Sequence, residues 1–235
     1  AGGTAPFQEP GLQDLLHRTE GRLRATTDLA TAIAESEAAI LILPTPSLPD
    51  GSFSSAALEA VLESIGRAIR HPEFLAIVAS TVSPGTSEGA LRVALEKGLG
   101  RPLDDRVGLV YSPEFIALGS VVHDMRFPEM VLIGSSNPAS AERAEALFLS
   151  VIESNPFIAH MSLPSAEIAK LAVNTFVTTK ISYANMIAEL SDHVPGASAH
   201  DILNAVGHDS RIGTKYLKPA VGYGGPCFPR DNRAL

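Results

Sequence analysis

Short apolar runs rich in β-branched residues alternate along much of the chain with longer segments of helical period. These runs predict buried strands at residues 39–43, 75–80, 107–111, 130–134 and 157–161. Helical patterns precede or follow them at about residues 12–16, 53–70, 85–97 and 139–154. Continuously apolar strands separated by helices are typical of a parallel sheet that is covered on both faces. We therefore predict an α/β domain.

The pattern changes near Leu163. A helical segment at residues 166–193 contains no Gly or Pro, and its length suits a spine or a subunit interface better than a helix that covers a sheet. A shorter helix is predicted at residues 199–206. The Gly- and Pro-rich stretch that follows, residues 207–229, cannot be regular. Irregular segments of this length are usually functional or disordered.

Length and composition agree with this division. Of the 235 residues, 45% are hydrophobic, and a chain of this size corresponds to roughly one and a half domains. We assign residues 1–162 to the α/β domain and residues 163–235 to a helical domain. Because the chain starts at Ala1 without methionine and ends at Leu235 inside a predicted helix, we expect it to be a piece of a longer protein.

Charge and cysteine content exclude several partners and sites. Subtracting 26 acidic from 18 basic residues gives a net charge of −8, so nucleic acid and anionic membranes are poor candidate partners. No apolar run approaches the ~20 residues that span a bilayer. Cys227 is the only cysteine, which excludes an intrachain disulfide and favours a reducing, cytoplasmic location. The seven histidines have no metal-binding spacing, so we predict no metal site.

The single thiol lies in the motif GYGGPCFPRD, residues 222–231. If Pro229 lies in the first turn of a helix, Cys227 stands at the helix N-terminus, where the helix dipole favours a thiolate. Asp231, four residues further on, would then share a face with Cys227. A small buried residue beside a turn is the commoner role of a free cysteine, and a catalytic nucleophile is the alternative.

Polar residues recur at four-residue spacing on the long helix. Lys170, Asn174 and Thr178 stand among apolar neighbours. Such a stripe is either the solvated face of the helix, which is the commoner case, or one side of a buried polar site. A Lys and an Asn one turn apart can together donate hydrogen bonds to a developing oxyanion.

Polar residues also follow three of the predicted strands directly. These segments are TPS at 45–47, STVSPGT at 80–86 and SPE at 112–114. Ligands of parallel sheets bind beyond the carboxyl ends of the strands, although turns by themselves also favour Ser, Pro and Gly. No GxGxxG motif follows a predicted strand, so a complete dinucleotide-binding motif is absent from these residues.

A series of motifs runs nearly from end to end of the chain. In chain order they are PFQEPGL (6–12), PTP (44–46), STVSPGT (80–86), PEFIALG (113–119) with Asp124 and Pro128, KLAVN (170–174), DSRIG (209–213) and GYGGPCFPRD (222–231). Taken together and in this order, they resemble the UDP-glucose/GDP-mannose dehydrogenase family, the nucleotide-sugar 6-dehydrogenases.

The resemblance implies a fold and a reaction. The fold is the remainder of a Rossmann-like parallel-sheet domain that binds NAD, followed by a long helix and a small all-α central domain used for dimerisation. The reaction is oxidation of the C6 alcohol of a nucleotide sugar to a carboxylate with two NAD⁺, through a cysteine thiohemiacetal and thioester. UDP-glucose is the first substrate expected, with UDP-N-acetylhexosamine and GDP-mannose as alternatives.

The resemblance also implies roles for particular residues. Cys227 would be the nucleophile, Lys170 and Asn174 would stabilise the oxyanion, Asp231 and Thr81 would hold a water, and Glu114 would act as a general acid/base. Residues implied to contact the substrate are Glu114, Phe115, Ile116, Lys170, Asn174, Arg211, Lys218, Gly222, Tyr223 and Gly224. Residues implied to contact NAD are Thr45, Pro46, Ser80, Thr81, Val82, Leu118, Cys227 and Arg230.

Arg211 matches a residue that reaches the substrate of a neighbouring subunit. The resemblance therefore implies a homo-oligomer, at least a dimer, built on the long helix at residues 166–193. Its partners would be the nucleotide sugar and further copies of the chain.

The chain departs from the family pattern at several points. Pro226 replaces the usual Ser, Arg230 replaces the usual Lys, and Leu118 stands where many members have Glu, which removes a polar contact near the cofactor. The family's N-terminal phosphate-binding turn and its C-terminal nucleotide-binding domain are not among these residues, so we expect this chain alone to bind NAD⁺ poorly and to turn over little.

Two other functions remain open. One is a two-electron hydroxyacid or phosphogluconate-type dehydrogenase, which shares the plan of the fold and the active-site Lys and Asn but does not need the cysteine. The other is a non-catalytic dimerisation or regulatory module of the same fold. The yield of NADH per substrate distinguishes the first alternative, and an unreactive Cys227 would favour the second.

Overall fold

The structure is a computed structural model that describes residues 4–235. The described chain divides into two compact units. The first comprises the residues up to Pro46 together with Ser54–Glu167, and the second comprises Ser47–Phe53 together with Ile168–Leu235. We retain the division at residues 162 and 163 as a proposal about the domains.

Within the described residues, the first unit contains a sheet with the strand order β1-β2-β3-β4-β5. The strands are β1 (Ala38–Leu41), β2 (Phe74–Val78), β3 (Val107–Tyr111), β4 (Met130–Ser135) and β5 (Phe157–Ser162). The helices are α1 (Leu12–Arg18), α2 (Leu29–Ala34), α3 (Ala56–Ala68), α4 (Arg92–Leu99), α5 (Val121–Arg126) and α6 (Pro138–Leu149). A π-helical turn, Ser87–Leu91, runs directly into α4.

The prediction of an α/β fold is confirmed, and the predicted parallel sheet is found with one antiparallel pair. β1, β2 and β3 are parallel to one another, as are β4 and β5, whereas β3 and β4 are antiparallel. A parallel connection requires a crossover, usually a helix, that packs on a face of the sheet. Between β3 and β4 stands only α5, a six-residue helix with no buried residue, so the chain returns in the opposite direction.

The core of the first unit lies on both faces of the central strands. Every residue of β2 and β3 is buried. On one face, Leu58, Leu62 and Ile65 of α3 pack with Leu91 and Leu95 of the π-helical turn and α4, since residues at such spacings share one face of a helix. The other face packs against α6.

Several element boundaries differ from the prediction. The predicted strand 107–111 is found unchanged as β3, and the other strands agree to within about two residues at each end, which is the usual precision of such boundaries. The helix predicted at 139–154 ends at Leu149, and the short helices α2 and α5 were not predicted. Helices of six residues present too few turns to show a helical period.

The second unit is helical. α7 (Leu163–Asp192) begins in the first unit and continues in the second, followed by α8 (Ala199–His208) and α9 (Phe228–Ala234). Ala184, Leu203 and Leu217 form its small buried cluster. The irregular segment between α8 and α9 is held to α7 by polar contacts, because Lys180 Nζ donates to the Ile212 and Gly213 carbonyls. Among the described residues, no helix has both the length and the apolar character needed to cross a bilayer.

Candidate active site

The residues predicted to form the site fall in both units. The first unit holds the segments at the strand ends, residues 45–46, 80–82 and 114–118, and the second holds Lys170, Asn174 and the segment from Arg211 to Asp231.

Cys227 occupies the N-cap position of α9, and Pro229 lies in the first turn of that helix. Proline suits this position because its missing N–H has no partner in a first turn and its φ angle is helical. The Cys227 carbonyl accepts a hydrogen bond from the Asp231 N–H at 2.9 Å, and the residue is exposed. The interpretation of Cys227 as a small buried residue beside a turn is therefore wrong: its thiol is accessible to a ligand.

Asp231 is buried in the same helix, with 2% of its surface exposed. Its Oδ2 accepts a hydrogen bond from Asn174 Nδ2 at 2.6 Å. Within residues 4–235 its Oδ1 accepts no hydrogen bond, and this atom lies 3.6 Å from Arg230 Nε. A buried carboxylate oxygen without a hydrogen-bond partner is costly, and a water or a ligand hydroxyl would satisfy it.

The polar stripe of α7 forms one side of a buried polar site. Lys170 and Thr178 are buried, and the Asn174 amide is bonded to Asp231. Thr178 Oγ1 lies 3.0 Å from Asn232 Oδ1, and Asn232 Nδ2 donates to the Phe228 carbonyl at 2.7 Å. The stripe therefore attaches α9 to α7 and is not the solvated face of its helix.

Sequence reasoning missed Asn232. Asn232 directly follows Asp231, but adjacent residues of a helix do not face each other, so its position gives no sequence signal for the contact with Thr178.

The segment that precedes Cys227 is exposed. Lys218, Gly222, Tyr223 and Gly224 are all accessible to solvent. Gly225 has φ +88°, a left-handed conformation that favours glycine, and it creates the turn two residues before the thiol. This segment is open to a ligand along its length.

Arg211 is exposed and pairs with Asp209 of the same unit. Its Nη2 donates to Asp209 Oδ2 at 2.6 Å and its Nε to Oδ1 at 3.0 Å. The hydrogen bonds from Arg211 lower the pKa of Asp209. Asp209 therefore orients the guanidinium as a rigid fork, which suits recognition of phosphate or carboxylate groups.

In the first unit, two predicted cofactor-binding residues hold the ends of neighbouring strands together. The Thr45 hydroxyl donates to the Thr81 carbonyl at 2.6 Å. Ser80 Oγ accepts a hydrogen bond from the Leu43 N–H at 2.7 Å and lies 2.8 Å from the Leu43 carbonyl oxygen. Thr81 itself is only partly buried. Thr81 therefore has a side chain available to a ligand or a water.

The remaining predicted residues of the first unit differ in exposure. Pro46, Ile116 and Leu118 are exposed, Leu118 by 90%, and Glu114 and Phe115 are partly buried. Val82 is buried in the core, so that only its backbone can reach a ligand.

Two motif residues clamp the loop that follows Glu114. Glu9 accepts hydrogen bonds from the Gly119 N–H at 3.0 Å and the Val121 N–H at 2.7 Å. Asp124 accepts from the Ser120 hydroxyl at 2.7 Å, and this bond lowers the pKa of Asp124. Glu9 and Asp124 thus hold residues 119–121, which follow Glu114 in the chain, by hydrogen bonds.

Glu167 is a second residue that sequence reasoning missed. Its carboxylate is fully buried and accepts hydrogen bonds from the Gly85 N–H at 2.5 Å and the Ser87 N–H at 2.6 Å. Burial raises the pKa of Glu167, against the opposing effect of the hydrogen bonds from Ser87 and Gly85. Glu167 thereby fastens the STVSPGT segment, which carries Thr81, to the start of α7.

Comparison with known proteins identifies the family. Residues 1–152 match the UDP-glucose/GDP-mannose dehydrogenase family, NAD binding domain, and residues 164–235 match the central domain of the same family. The chain belongs to the UDP-glucose/GDP-mannose dehydrogenase family, whose first domain binds NAD.

Individual relatives agree with this assignment. The chain is 35% identical over 99% of its length to the UDP-glucose 6-dehydrogenase AglM of Haloferax volcanii, and it covers 55% of that protein. Its structure superposes with a TM-score of 0.87 and 33% identity on a UDP-glucose dehydrogenase from Pyrobaculum islandicum, covering 99% of this chain and 53% of that one. For a GDP-mannose dehydrogenase from Pseudomonas aeruginosa the TM-score is 0.80 at 29% identity, with coverage of 99% and 54%. The chain thus spans about half the length of the relatives it matches.

The first unit fits part of an NAD site. The carboxyl ends of the parallel strands β1, β2 and β3 lie at one edge of the sheet, which is where α/β folds bind nucleotides. Thr81 follows the end of β2 by three residues and is only partly buried, and Leu118, seven residues after the end of β3, is exposed. The 235 residues contain no GxGxxG phosphate-binding motif. No group of side chains suited to a metal ion occurs in the described part of the chain.

Proposed function

We propose that the protein oxidises the C6 alcohol of a nucleotide sugar to a carboxylate in two NAD-dependent steps, with Cys227 as the nucleophile. The observation that carries this proposal is an accessible thiol at the start of α9, in the same short helix as the buried carboxylate of Asp231. A two-electron dehydrogenase needs no thiol, whereas oxidation of an aldehyde to an acid through a covalent acyl intermediate does.

The cofactor would be held in part by residues at the strand ends of the first unit. Thr81, which follows the end of β2 and is only partly buried, would donate a hydrogen bond there. When bound, NAD⁺ supplies the hydride acceptor for each of the two oxidations.

In the first half of the reaction, the C6 hydroxyl loses a proton and a hydride and becomes an aldehyde. The Cys227 thiolate then forms a bond to C6 and gives a thiohemiacetal. Lys170 and Asn174 would stabilise the negative charge on the C6 oxygen with N–H donors. Both belong to the stripe on α7 that is turned away from solvent.

In the second half, loss of a second hydride and a proton leaves a thioester on Cys227. Attack by water breaks the bond between C6 and sulfur, releases the carboxylate and restores the thiolate. Asp231 Oδ1, which has no hydrogen-bond partner in the described residues, would hold that water and accept its proton. Glu114 and Thr81 would take part in proton transfer from the first unit.

UDP-glucose is the proposed substrate. It is supported by relatives at 35% identity that are UDP-glucose 6-dehydrogenases, although GDP-mannose 6-dehydrogenases are 30–32% identical. Arg211, Lys218 and the Gly222–Gly224 segment are exposed and would contact the nucleotide sugar.

We infer further that the active protein is a homodimer or a larger assembly in the cytoplasm. Large apolar side chains are exposed along α7 at Phe176, Tyr183, Met186 and Leu190. Their spacings of seven, three and four place them on one helix face, which supports pairing with a second copy. A single free cysteine without a disulfide partner is typical of a reducing compartment.

The decisive measurement is the NADH formed per molecule of UDP-glucose consumed by the full-length protein. We expect two NADH per sugar and a uronate product, and loss of uronate formation in Cys227→Ala. A yield of one NADH per sugar would contradict the thioester mechanism and favour a two-electron dehydrogenase. GDP-mannose and a UDP-N-acetylhexosamine in parallel reactions identify the substrate.

A further inference from the structure

The segment Ser47–Phe53 lies between β1 and α3 in the chain but belongs to the second unit. It forms a compact turn whose two ends are joined by hydrogen bonds. Ser47 and Phe53 form a β-bridge, the Leu48 N–H donates to the Ser52 carbonyl at 2.8 Å, and the Gly51 N–H donates to the Leu48 carbonyl at 3.0 Å. Asp50 Oδ1 accepts from both the N–H and the hydroxyl of Ser52, which lowers the pKa of Asp50. These bonds leave the segment little conformational freedom.

Phe53 provides the first contact with α9. Its ring is 5% exposed, and the Arg230 guanidinium carbon lies 4.3 Å from the ring centroid, well within cation–π distance. The Nε of the same guanidinium lies 3.6 Å from Asp231 Oδ1. Because a guanidinium stacked on a ring is restricted in its rotation, Phe53 holds the positive charge beside the Asp231 carboxylate.

Gly51 provides the second contact. Its φ angle is +95°, and a Cβ at this position would lie 2.7 Å from the Arg233 carbonyl oxygen. Side chains essentially never approach backbone this closely, so only glycine allows the turn to pass this near to α9.

We propose that the Ser47–Phe53 segment is a positioning element for α9, and that Phe53 and Gly51 are positioning residues for Cys227 and Asp231. α9 has seven residues, too few to be stable alone, so its order depends on contacts with other elements. Asn174 and Thr178 supply polar contacts to it, and the 47–53 segment supplies the aromatic and backbone contacts. The inference rests on the proposed role of Cys227 as nucleophile.

The test compares full-length wild type with Phe53→Leu, Phe53→Tyr and Gly51→Ala. Two quantities are measured: hydrogen exchange of the α9 amides, and kcat and KM for the nucleotide sugar. We expect Phe53→Leu and Gly51→Ala to accelerate exchange in α9 about tenfold, in keeping with the loss of a buried cation–π contact or of close packing. We expect kcat to fall about tenfold while KM stays within about twofold of wild type, and Phe53→Tyr, which keeps the ring, to restore both quantities.

Two controls separate positioning from loss of stability. Exchange in α8 should not change, and Phe74→Leu, at a buried phenylalanine of β2, should lower stability without accelerating α9 exchange at a temperature where it is folded. Unchanged exchange in both Phe53→Leu and Gly51→Ala would overturn the inference, as would faster exchange with an unaltered kcat. If instead Cys227→Ala still formed uronate, the proposed function would fail, whereas the exchange result would stand independently.

Discussion

The chemistry of this protein depends on where a few polar side chains meet. The Asp231 carboxylate is bonded through one oxygen to Asn174, while the other oxygen lies beside Arg230 without a hydrogen bond from any described residue. One oxygen of the carboxylate is therefore bonded to α7, and the other is buried without a hydrogen-bond partner among the described residues. Glu167 shows the opposite use of a buried carboxylate, because both of its oxygens accept backbone N–H groups.

We expect Asp231→Asn to lower kcat at least about 100-fold, because a neutral amide cannot accept a proton from the attacking water. The side chain keeps its size and its contact with α7, so the fold should be retained. Steady-state kinetics on the full-length protein measures this effect. The matched control is Asp192→Asn, at an exposed aspartate at the end of α7, for which kcat should equal that of wild type. Equal kcat values for the two variants would contradict the role given to Asp231.

Glu167 should make the stability of the protein depend on pH. Burial raises the pKa of Glu167 above its ordinary value of 4.5, so above pH 4.5 the unfolded chain loses its proton first. Between 4.5 and the folded pKa, the free energy of unfolding therefore falls as pH rises. Glu167→Gln does not titrate, and we expect wild type to lose stability relative to this variant as pH rises from 4 to 7. Urea unfolding of both proteins across this range measures the difference. A difference that stays constant or grows in favour of wild type would show that the hydrogen bonds outweigh burial.

At the scale of elements, the local hydrophobic pattern predicts where strands and helices lie, whereas tertiary contacts decide their direction and their partners. β3 is found at the predicted residues, and all five of them are buried, as expected for a short apolar run that forms a central strand. The direction of β4 depends on the connection before it, and α5 is too short and too exposed to produce a parallel crossover. The polar stripe on α7 was ambiguous in sequence because its partner, α9, lies 54 to 57 residues away.

The attachment of α9 to α7 can be tested at Thr178. We expect Thr178→Val to lower the free energy of unfolding by about 1 kcal/mol, because it removes a buried hydroxyl that lies 2.8 Å from the Thr175 carbonyl oxygen and 3.0 Å from Asn232 Oδ1. Chemical denaturation measures the change. The matched control is Thr179→Val, since Thr179 is exposed and its hydroxyl donates only to the Thr175 carbonyl in its own helix. Equal losses in both variants would show that the Thr178–Asn232 contact contributes nothing.

At the scale of the whole molecule, the assembly proposed above would use two features of the surface: the exposed apolar face of α7 and the exposed Arg211. A group of exposed apolar side chains on one helix face is typical of a surface that contacts other protein. We propose that a second copy covers it.

Phe176→Glu and Met186→Glu together should convert the dimer into monomers, because each buries a carboxylate in an apolar interface. Sedimentation of the full-length protein measures the mass. The control is Val93→Glu, at an exposed apolar residue of α4, which should leave the mass unchanged. If the mass of the double variant equals that of wild type, the proposal that α7 forms the subunit interface is wrong.

The sequence by itself determined the α/β plan, the positions of the main strands and helices, and the family, because hydrophobic period and motif order are local properties of the chain. It also identified Cys227, Asp231, Lys170 and Asn174 as candidates for the site. The tertiary structure decided which side chains touch: Asp231 with Asn174, Phe53 with Arg230, and Glu167 with the backbone at Gly85 and Ser87. Contacts between residues far apart in the chain leave no periodic signal, since they arise only when packing of the elements brings the residues together.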